Sequence, residues 1–349
     1  MSIRPKIAVV GLRFGNVIAK ELSEAPASDI FELAAVCDMN RTQADIIAAR
    51  HPGVPVYYTL DDVLARPEIR AVALMTPPVG RAELVRKIIR SGRAVMTTKP
   101  FERDTKAAAA VLEEARALKI PVHLNSPSMA PSPMVEQVRR WREEYNLGQP
   151  IGLRADLWAH KPAKPDGSWY DDPVRCPVAP IYRIGIYCIN DIIQLFGQAQ
   201  TVNVLSSRLL TERPTPDNGQ LSILFKNGAL GNLFVSFCIQ DGMDHNSMFT
   251  FNFEKGTLYS NAALLGTGQK NQPTMRLIMD SGKRLEPVIK EAAILTGSTS
   301  YAWQIFRTAM EAHTPNPLEY DRRILQGLAV IEAMAAAEKS GRQEPVEAF

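Results

Sequence analysis

The first third of the chain alternates short apolar runs with amphipathic segments, and no other property of the sequence constrains its fold as strongly. Ile7 to Val10, Leu33 to Cys37, Val72 to Met75, Ala94 to Met96 and Val122 to Leu124 have the length and character of strands. Between them, Val17 to Glu24, Thr42 to Arg50, Arg81 to Ser91 and Thr105 to Lys119 carry apolar residues at helical spacing. Strands that alternate with helices bury both kinds of face when the strands form a parallel sheet and the helices cross over it. The fourth helix is the best punctuated, with Asp104 at its N-cap and Ile120-Pro121 as its stop.

After about residue 125 the grammar changes. A helix over Pro133 to Glu144 leads to a strand at Ile151 to Trp158 and a proline-rich loop from Lys161 to Pro180. That loop is too long for a mere connection, and long ordered loops tend to be functional. Gly185 to Phe196 reads as a helix ended by Gly197. Strand-like runs then follow in series: Thr201 to Ser207, Gln220 to Phe225, Ala229 to Phe237, Ser247 to Phe253 and Gly256 to Tyr259. Strands without intervening helices indicate an antiparallel sheet. Two helices, Tyr301 to Ala312 and Tyr320 to Ser340, close the chain. At 349 residues the chain exceeds what one core usually supports. We therefore expect an α/β domain over residues 1–125 and an α+β domain over 126–349.

Charge and cysteine content exclude several classes. The formal net charge is +3, with both signs interspersed. The densest basic cluster, Arg139-Arg140-Trp141-Arg142, continues into Glu143 and Glu144 and reads as a solvated helix face. Nucleic acid is therefore not an expected partner. Cys37, Cys176, Cys188 and Cys238 lie far apart without a Cys-x-x-Cys pair, which points to reduced core residues and to no metal site. Met1 to Lys6 lacks the long apolar run of a signal peptide, and no stretch approaches the roughly 20 apolar residues of a bilayer span. We expect a cytoplasmic protein with no membrane partner.

The first strand runs into Gly11-Leu12-Arg13-Phe14-Gly15-Asn16 and then a helix, where a dinucleotide fold puts its glycine-rich turn. The usual Gly-x-Gly-x-x-Gly has Arg13 at its second glycine and Asn16 at its third. Either Gly15 does a shifted glycine's work or Arg13 simply replaces the second glycine. Both readings keep the helix N-terminus, which favours an anion. Asp38 ends the second strand with a carboxylate suited to an adenosine ribose diol, which points to NAD; it could also cap the next helix. Arg41, three residues on, could instead receive a 2′-phosphate and keeps NADP as the alternative. Lys99 closes the run Ala94-Val95-Met96-Thr97-Thr98 and is followed by Pro100, which holds it extended at the strand's carboxyl end. Ligands of open α/β sheets bind at that edge.

With these residues in view, the chain resembles the Gfo/Idh/MocA family of oxidoreductases, which includes glucose-fructose oxidoreductase and inositol dehydrogenase. The resemblance rests on Gly11-x-x-x-Gly15, Val36-Cys37-Asp38, Thr76-Pro77-Pro78, Thr98-Lys99-Pro100, Trp169-Tyr170-Asp171-Asp172-Pro173 and Ile184-Gly185-Ile186-Tyr187-Cys188-Ile189-Asn190. It implies a dinucleotide-binding Rossmann-type domain followed by a mostly antiparallel open sheet, whose face often makes homo-oligomer contacts. It also implies that Lys99 reaches both nicotinamide and the reacting hydroxyl. Cofactor contacts are expected from Gly11, Leu12, Arg13, Phe14, Gly15, Asn16, Asp38, Arg41, Thr76, Pro77, Pro78, Lys99, Pro100 and Asn125. The family's Glu-Lys-Pro glutamate is matched by Thr98, and a histidine shortly after Thr-Pro is matched by Arg81. In its Asp-x-Gly-x-His signature the matches are Arg183, Gly185 and Tyr187; tyrosine is an accepted variant, and arginine for aspartate is a departure. A later aspartate is matched by Asn190, beside Asp191.

Oxidising a secondary alcohol needs a proton acceptor, a donor for the developing alkoxide and geometry that aims the hydride. Lys99 can stabilise the oxygen as an ammonium, or act as base once desolvated, and Tyr187 can relay the proton. Arg183 would suit a carboxylated sugar, which a guanidinium grips bidentately. Asn190 and Asp191 are further substrate candidates, and Trp169 and Tyr170 could stack on a sugar ring. His160 and His245 are lone histidines. The expected activity is NAD(P)-dependent hydride transfer at a hydroxyl carbon of a sugar, polyol or sugar acid. The alternatives are a catalytically silent regulatory protein that binds a nucleotide or sugar, and an NAD-assisted glycoside-cleaving enzyme.

Overall fold

The structure, a computed structural model, describes residues 3–242, 245–261, 274–294 and 301–349. It divides into two compact units, residues 1–129 with 299–325, and residues 130–298 with 326–349.

The first unit is built on six parallel strands: β1 (Lys6–Val10), β2 (Glu32–Cys37), β3 (Val56–Tyr57), β4 (Ile69–Leu74), β5 (Ala94–Thr97) and β6 (Val122–Leu124). Their order is β3-β2-β1-β4-β5-β6, the doubly wound arrangement whose reversal point lies beside β1. The expected parallel α/β sheet is present. Its central strands are buried on both faces, as the unbroken runs Ala71 to Leu74 and Ala94 to Met96 require. β4 begins three residues before the expected Val72, because Ile69 pairs with Lys6 and is itself buried; the exposed Arg70 between them hides this in the sequence. β3 escaped notice because two residues show no periodicity.

The helices follow the crossover pattern, with α1 (Leu12–Leu22), α2 (Ala27–Ile30), α3 (Arg41–Ala48), α4 (Leu60–Leu64), α5 (Arg81–Arg90) and α6 (Thr105–Ala117). Asp104 caps α6 as expected, its carboxylate accepting from Ala107 N at 3.0 Å. Chain order alone puts residues 299–325 with the second domain; their packing puts them in the first unit. Phe31 meets Trp303 and Phe306 at 5.9 and 5.7 Å between ring centroids, and Trp303 donates to Glu21 at 2.7 Å. Asn316 meets the edge strand β6 with its side-chain amide, accepting from Val122 N at 3.2 Å and donating to Val122 O at 2.7 Å. It thereby satisfies backbone groups that an edge strand would otherwise leave open.

The second unit carries α7 (Pro133–Glu144), α8 (Ile186–Phe196) and a nine-stranded sheet. Its strands are β7 (Pro150–Trp158), β8 (Ala199–Ser207), β9 (Asn218–Phe225), β10 (Leu230–Ser236), β11 (Asn246–Phe253), β12 (Gly256–Asn261), β13 (Thr274–Met279), β14 (Val288–Ala293) and β15 (Glu344–Pro345). The sheet runs β14-β13-β12-β11-β7-β10-β9-β8-β15, antiparallel except where β7 and β10 pair in parallel. One face is a core of Leu153, Ala155, Leu233, Val235, Phe249 and Phe251. Alternation places Leu205, Leu230, Met248 and Tyr259, all exposed, on the other face. The loop from β8 to β9 is organised by Asp217, which accepts the N–H groups of Leu209, Leu210 and Thr211 at 2.7–2.8 Å. Burial pushes its carboxyl pKa up, but those three donors outweigh it and hold the pKa below the ordinary value.

Among the described residues, no helix is long and apolar enough to cross a membrane, and no cluster of side chains suits a metal ion. All four cysteines are free thiols, and burial pushes that of Cys37 up to about 12.

His123, on β6, sits between Phe306 and Tyr320 with ring centroids at 5.4 and 5.9 Å. Burial pushes its pKa from 6.5 down to about 4. The unfolded chain takes up a proton in that window and the fold refuses it, so the stability present above pH 6.5 falls as pH drops toward 4. The loss attributable to this group is about 3 kcal/mol. Urea midpoints of wild type and His123→Leu at pH 7 and pH 4.5 check this: the wild type loses more stability on acidification, and equal losses would remove His123 from the account.

Candidate functional site

The turn between β1 and α1 is shaped by two glycines. Gly11 has φ +87°, and a Cβ there would stand 2.9 Å from the carbonyl carbon of Met75 and from Thr76 N. Only glycine fits both the angle and the approach. Gly15, one turn into α1, would drive a Cβ to 2.8 Å from Val9 Cγ1. Gly15 therefore supplies the close helix-to-strand packing of a dinucleotide fingerprint, while Arg13 and Phe14 are exposed on the helix's first turn and Asn16 is half-buried. Gly11, the N-cap of α1, has no side chain to cap the helix, and the first N–H of α1 is met from outside it.

Asp38 closes this turn from β2. Its Oδ2 accepts from Leu12 N at 2.7 Å and its Oδ1 from Asn40 N at 2.9 Å. It is not the cap of α3, as the sequence allowed; Asn40 is, accepting from Gln43 N at 3.1 Å. The reason is geometric, since Asp38 still lies at the strand end, two residues before the helix cap. Arg41 lays its guanidinium over the Tyr58 ring at 4.3 Å.

β4 and β5 deliver the other two loops of the first unit. Thr76-Pro77-Pro78 follows β4, and the buried Thr76 Oγ1 has no hydrogen-bond partner. Pro77 is exposed and Pro78 buried. After β5, Asn125 Oδ1 accepts from Lys99 N at 3.1 Å and from Thr98 Oγ1 at 3.3 Å, which fixes the Lys99 backbone from the neighbouring strand β6. Pro100 is buried and Lys99 itself half-buried. Asn125, expected at the cofactor, is thus placed on the lysine's own backbone.

Sequence reasoning missed what joins these loops. Arg81, only 1% exposed, donates from Nη1 to the carbonyls of Thr98 at 2.6 Å, Pro100 at 2.5 Å and Phe101 at 3.2 Å. Its Nη2 donates to Thr76 O. Glu102 returns the contact, its carboxylate accepting from Gly80 N at 3.2 Å and Ala82 N at 2.8 Å. The available signal was an arginine where the resembled family commonly has a histidine; nothing in the sequence marked Glu102.

In the second unit, the proline-rich loop after β7 is pinned rather than loose. Arg213 pairs with Asp166 at 3.0 Å and with Asp171, and Thr215 Oγ1 donates to Tyr170 O at 3.0 Å. A single turn of π-helix, Ile181–Gly185, precedes α8, a geometry that often marks functional segments. It carries Arg183, whose Cζ lies 3.9 Å from the Tyr170 ring centroid and 4.8 Å from that of Phe237. The Trp169 and Tyr170 rings lie 4.3 Å apart between centroids and are tilted by 43°. Tyr187 is half-buried in the first turn of α8. The two remaining candidates make contacts inside this unit: Asp191 accepts from Ser132 Oγ, the cap of α7, at 3.1 Å. Asn190 is buried, with Oδ1 2.2 Å from where a Cβ on Gly327 would stand, so its side-chain amide lies against the Gly327 backbone. His160 is half-buried and His245 exposed.

Two sequence profiles match in tandem. Residues 5–126 match that of the Gfo/Idh/MocA oxidoreductase family, NAD-binding Rossmann fold, and residues 135–259 match the family's C-terminal domain. The chain belongs to the Gfo/Idh/MocA family. Among curated relatives, an uncharacterized oxidoreductase of Schizosaccharomyces pombe is 26% identical over 199 residues, 53% of this chain and 50% of its own. An uncharacterized oxidoreductase of Synechocystis is 23% identical over 218 residues, 62% and 58%. The chain thus spans about half the length of the curated relatives it matches. Among solved structures, levoglucosan dehydrogenase in complex with NADH and L-sorbose has TM-score 0.77 at 16% identity, covering 100% of each chain. The WlbA dehydrogenase from Bordetella pertussis, in complex with NADH and UDP-GlcNAcA, has TM-score 0.72 at 16% identity, covering 99% of this chain and 100% of the other. At these identities the likeness shows the shared fold.

The NAD-binding Rossmann domain of the Gfo/Idh/MocA family fits the residues present. The glycine turn gives a backbone approach at the N-terminus of α1, Thr76 Oγ1 offers a buried hydroxyl in need of a partner, and Asp38 has used two of a carboxylate's roughly four acceptor sites. Gly11, Asp38 and Thr76 could hold a dinucleotide, with Gly15 letting α1 lie close against β1 beside them. Asp38→Asn is expected to weaken NADH binding and to narrow the preference over NADPH by about tenfold, the value of one charge-assisted bond. Titrating both nucleotides against tryptophan fluorescence checks this, and an unchanged preference would remove Asp38 from the ribose.

Proposed function

We propose that the chain is an NAD-dependent oxidoreductase that moves a hydride between a nicotinamide ring and a hydroxyl carbon of a sugar, polyol or sugar acid. One observation carries the reading: Lys99 stands at the carboxyl end of β5 with its backbone N–H held by Asn125, at the same sheet edge as the glycine turn after β1. A bound NAD supplies the hydride acceptor or donor. Lys99 as an ammonium stabilises negative charge growing on the substrate oxygen, and its fixed backbone limits where that charge is met. Tyr187 is proposed as the proton-carrying partner on the strength of its place in the family's signature.

The chemistry around Arg183 favours an acidic substrate. A guanidinium stacked on aromatic faces keeps its donors at its edge, where a planar carboxylate meets two of them at once. Two structural neighbours are described with sugar compounds, one with L-sorbose and another with UDP-GlcNAcA, which supports the sugar class and leaves the acid to Arg183 alone.

A screen of sugars, polyols and sugar acids with NAD and NADH tests the proposal. Lys99→Ala is expected to retain NADH binding within a few-fold and to lower kcat on any substrate found by at least about a thousandfold, the scale of losing charge stabilisation at a reacting oxygen. Retained turnover would overturn the assignment, and absence of NADH binding to the wild type would overturn the activity. Arg183→Asp is expected to shift preference from acidic toward neutral sugars by about tenfold or more in kcat/KM, on the scale of a lost bidentate pair. An unchanged preference would remove the carboxylate argument.

A further inference from the structure

Arg81 and Glu102 form a reciprocal clamp between the loops after β4 and β5. Arg81, the first residue of α5, sends its guanidinium into the carbonyls on both sides of Lys99, those of Thr98 and Pro100, and on to Phe101 and Thr76. Glu102, three residues past the lysine, sends its carboxylate back to the N–H groups of Gly80 and Ala82, which flank Arg81. Both side chains are buried, at 1% and 3% exposure. With Asn125 holding the Lys99 N–H, the peptide before the lysine is held at both its N–H and its carbonyl, and the carbonyl of the residue after it is held by Arg81.

Neither helix formation nor core packing calls for this arrangement. A cation at a helix N-terminus opposes the helix dipole, and a guanidinium out of water is costly unless its donors are met. An apolar side chain at position 81 would fill volume at a lower electrostatic cost. What it could not do is hold four carbonyls of two separate loops in one plane.

We propose that Arg81 is a positioning residue for Lys99: it fixes the main chain on both sides of the lysine, at the Thr98 and Pro100 carbonyls, so that Nζ is delivered to one place at the sheet edge. The inference rests on the reading of Lys99 as the group that meets the substrate oxygen. Arg81 acts through Lys99, and Glu102 keeps Arg81 in place by anchoring the helix turn from which it springs. A loosened Lys99 retains its charge and loses its aim, which lowers kcat, while the turn at Gly11 and Asp38, which Arg81 does not touch, stays as it is.

The test uses the full chain with Arg81→Lys, which keeps the charge without the planar fork, and Arg81→Met, which removes both. Amide hydrogen exchange at Lys99 is followed against exchange at Val72, inside β4, and against the urea midpoint. The expected result is a rise of about tenfold or more at Lys99 in both variants, with Val72 moving only as far as global stability moves. At saturating NADH or NAD, kcat is expected to fall by about 10- to 100-fold, the scale of a misplacement near 1 Å. Lys99 exchange that merely tracks the urea midpoint in a folded variant would overturn the proposal, as would failure of both variants to fold, which would make Arg81 a folding residue. If Lys99→Ala leaves turnover intact, the catalytic reading fails, and the exchange at Lys99 still decides whether Arg81 holds it.

Discussion

A buried guanidinium at the first turn of a helix is electrostatically awkward, and much of the first unit's carboxyl edge is arranged around making it tolerable. Four carbonyl oxygens meet the Arg81 donors, and a buried carboxylate from the next loop meets the N–H groups beside it. Removing any one partner would leave a buried polar group unmet, at roughly 1–3 kcal/mol each. The loops after β4 and β5 are therefore fixed together or not at all. Lys99 inherits that rigidity because the main chain on both sides of it is among the bonded groups.

The same logic of cross-strand satisfaction recurs around the sheet. Asp38, at the end of β2, holds the backbone of the turn after β1 through Leu12. Asn125, at the end of β6, holds the backbone after β5. Asn316 meets the open edge of β6 itself. Each is a short polar side chain that fixes a neighbour's main chain, and with Asp38 and Asn125 at strand ends the carboxyl edge is a surface of positioned loops on rigid strands. In the second unit, Arg213 with Asp166 and Asp171 does this for the proline-rich loop, and so presents Tyr170 beneath Arg183.

The sequence made the strand-helix alternation, the glycine turn, the Lys99–Pro100 strand end and the switch to serial strands legible, because each depends on residue type and spacing over a few positions. It was less clear where apolar patterning was interrupted, as at Arg70 inside β4, or too short to have a period, as in β3. Asp38 was legible as a carboxylate at the strand end, and the capping role the sequence left open for it falls to Asn40, since caps shift by two residues without changing composition. Asn190 and Asp191 read as site candidates from motif position, and only the structure shows that they also meet Gly327 and Ser132 within the second unit.

By itself the sequence determined the two fold types, the dinucleotide turn and the lysine at the strand's carboxyl edge, all of which follow from local periodicity, backbone preference and proline or glycine geometry. Only the tertiary structure decided that residues 299–325 pack with the first unit, that Gly15 is the glycine pressed against β1, and that Arg81 binds the main chain on both sides of Lys99. These depend on contacts between segments distant along the chain, and a guanidinium's choice among carbonyls leaves no periodic trace in the residues that provide them.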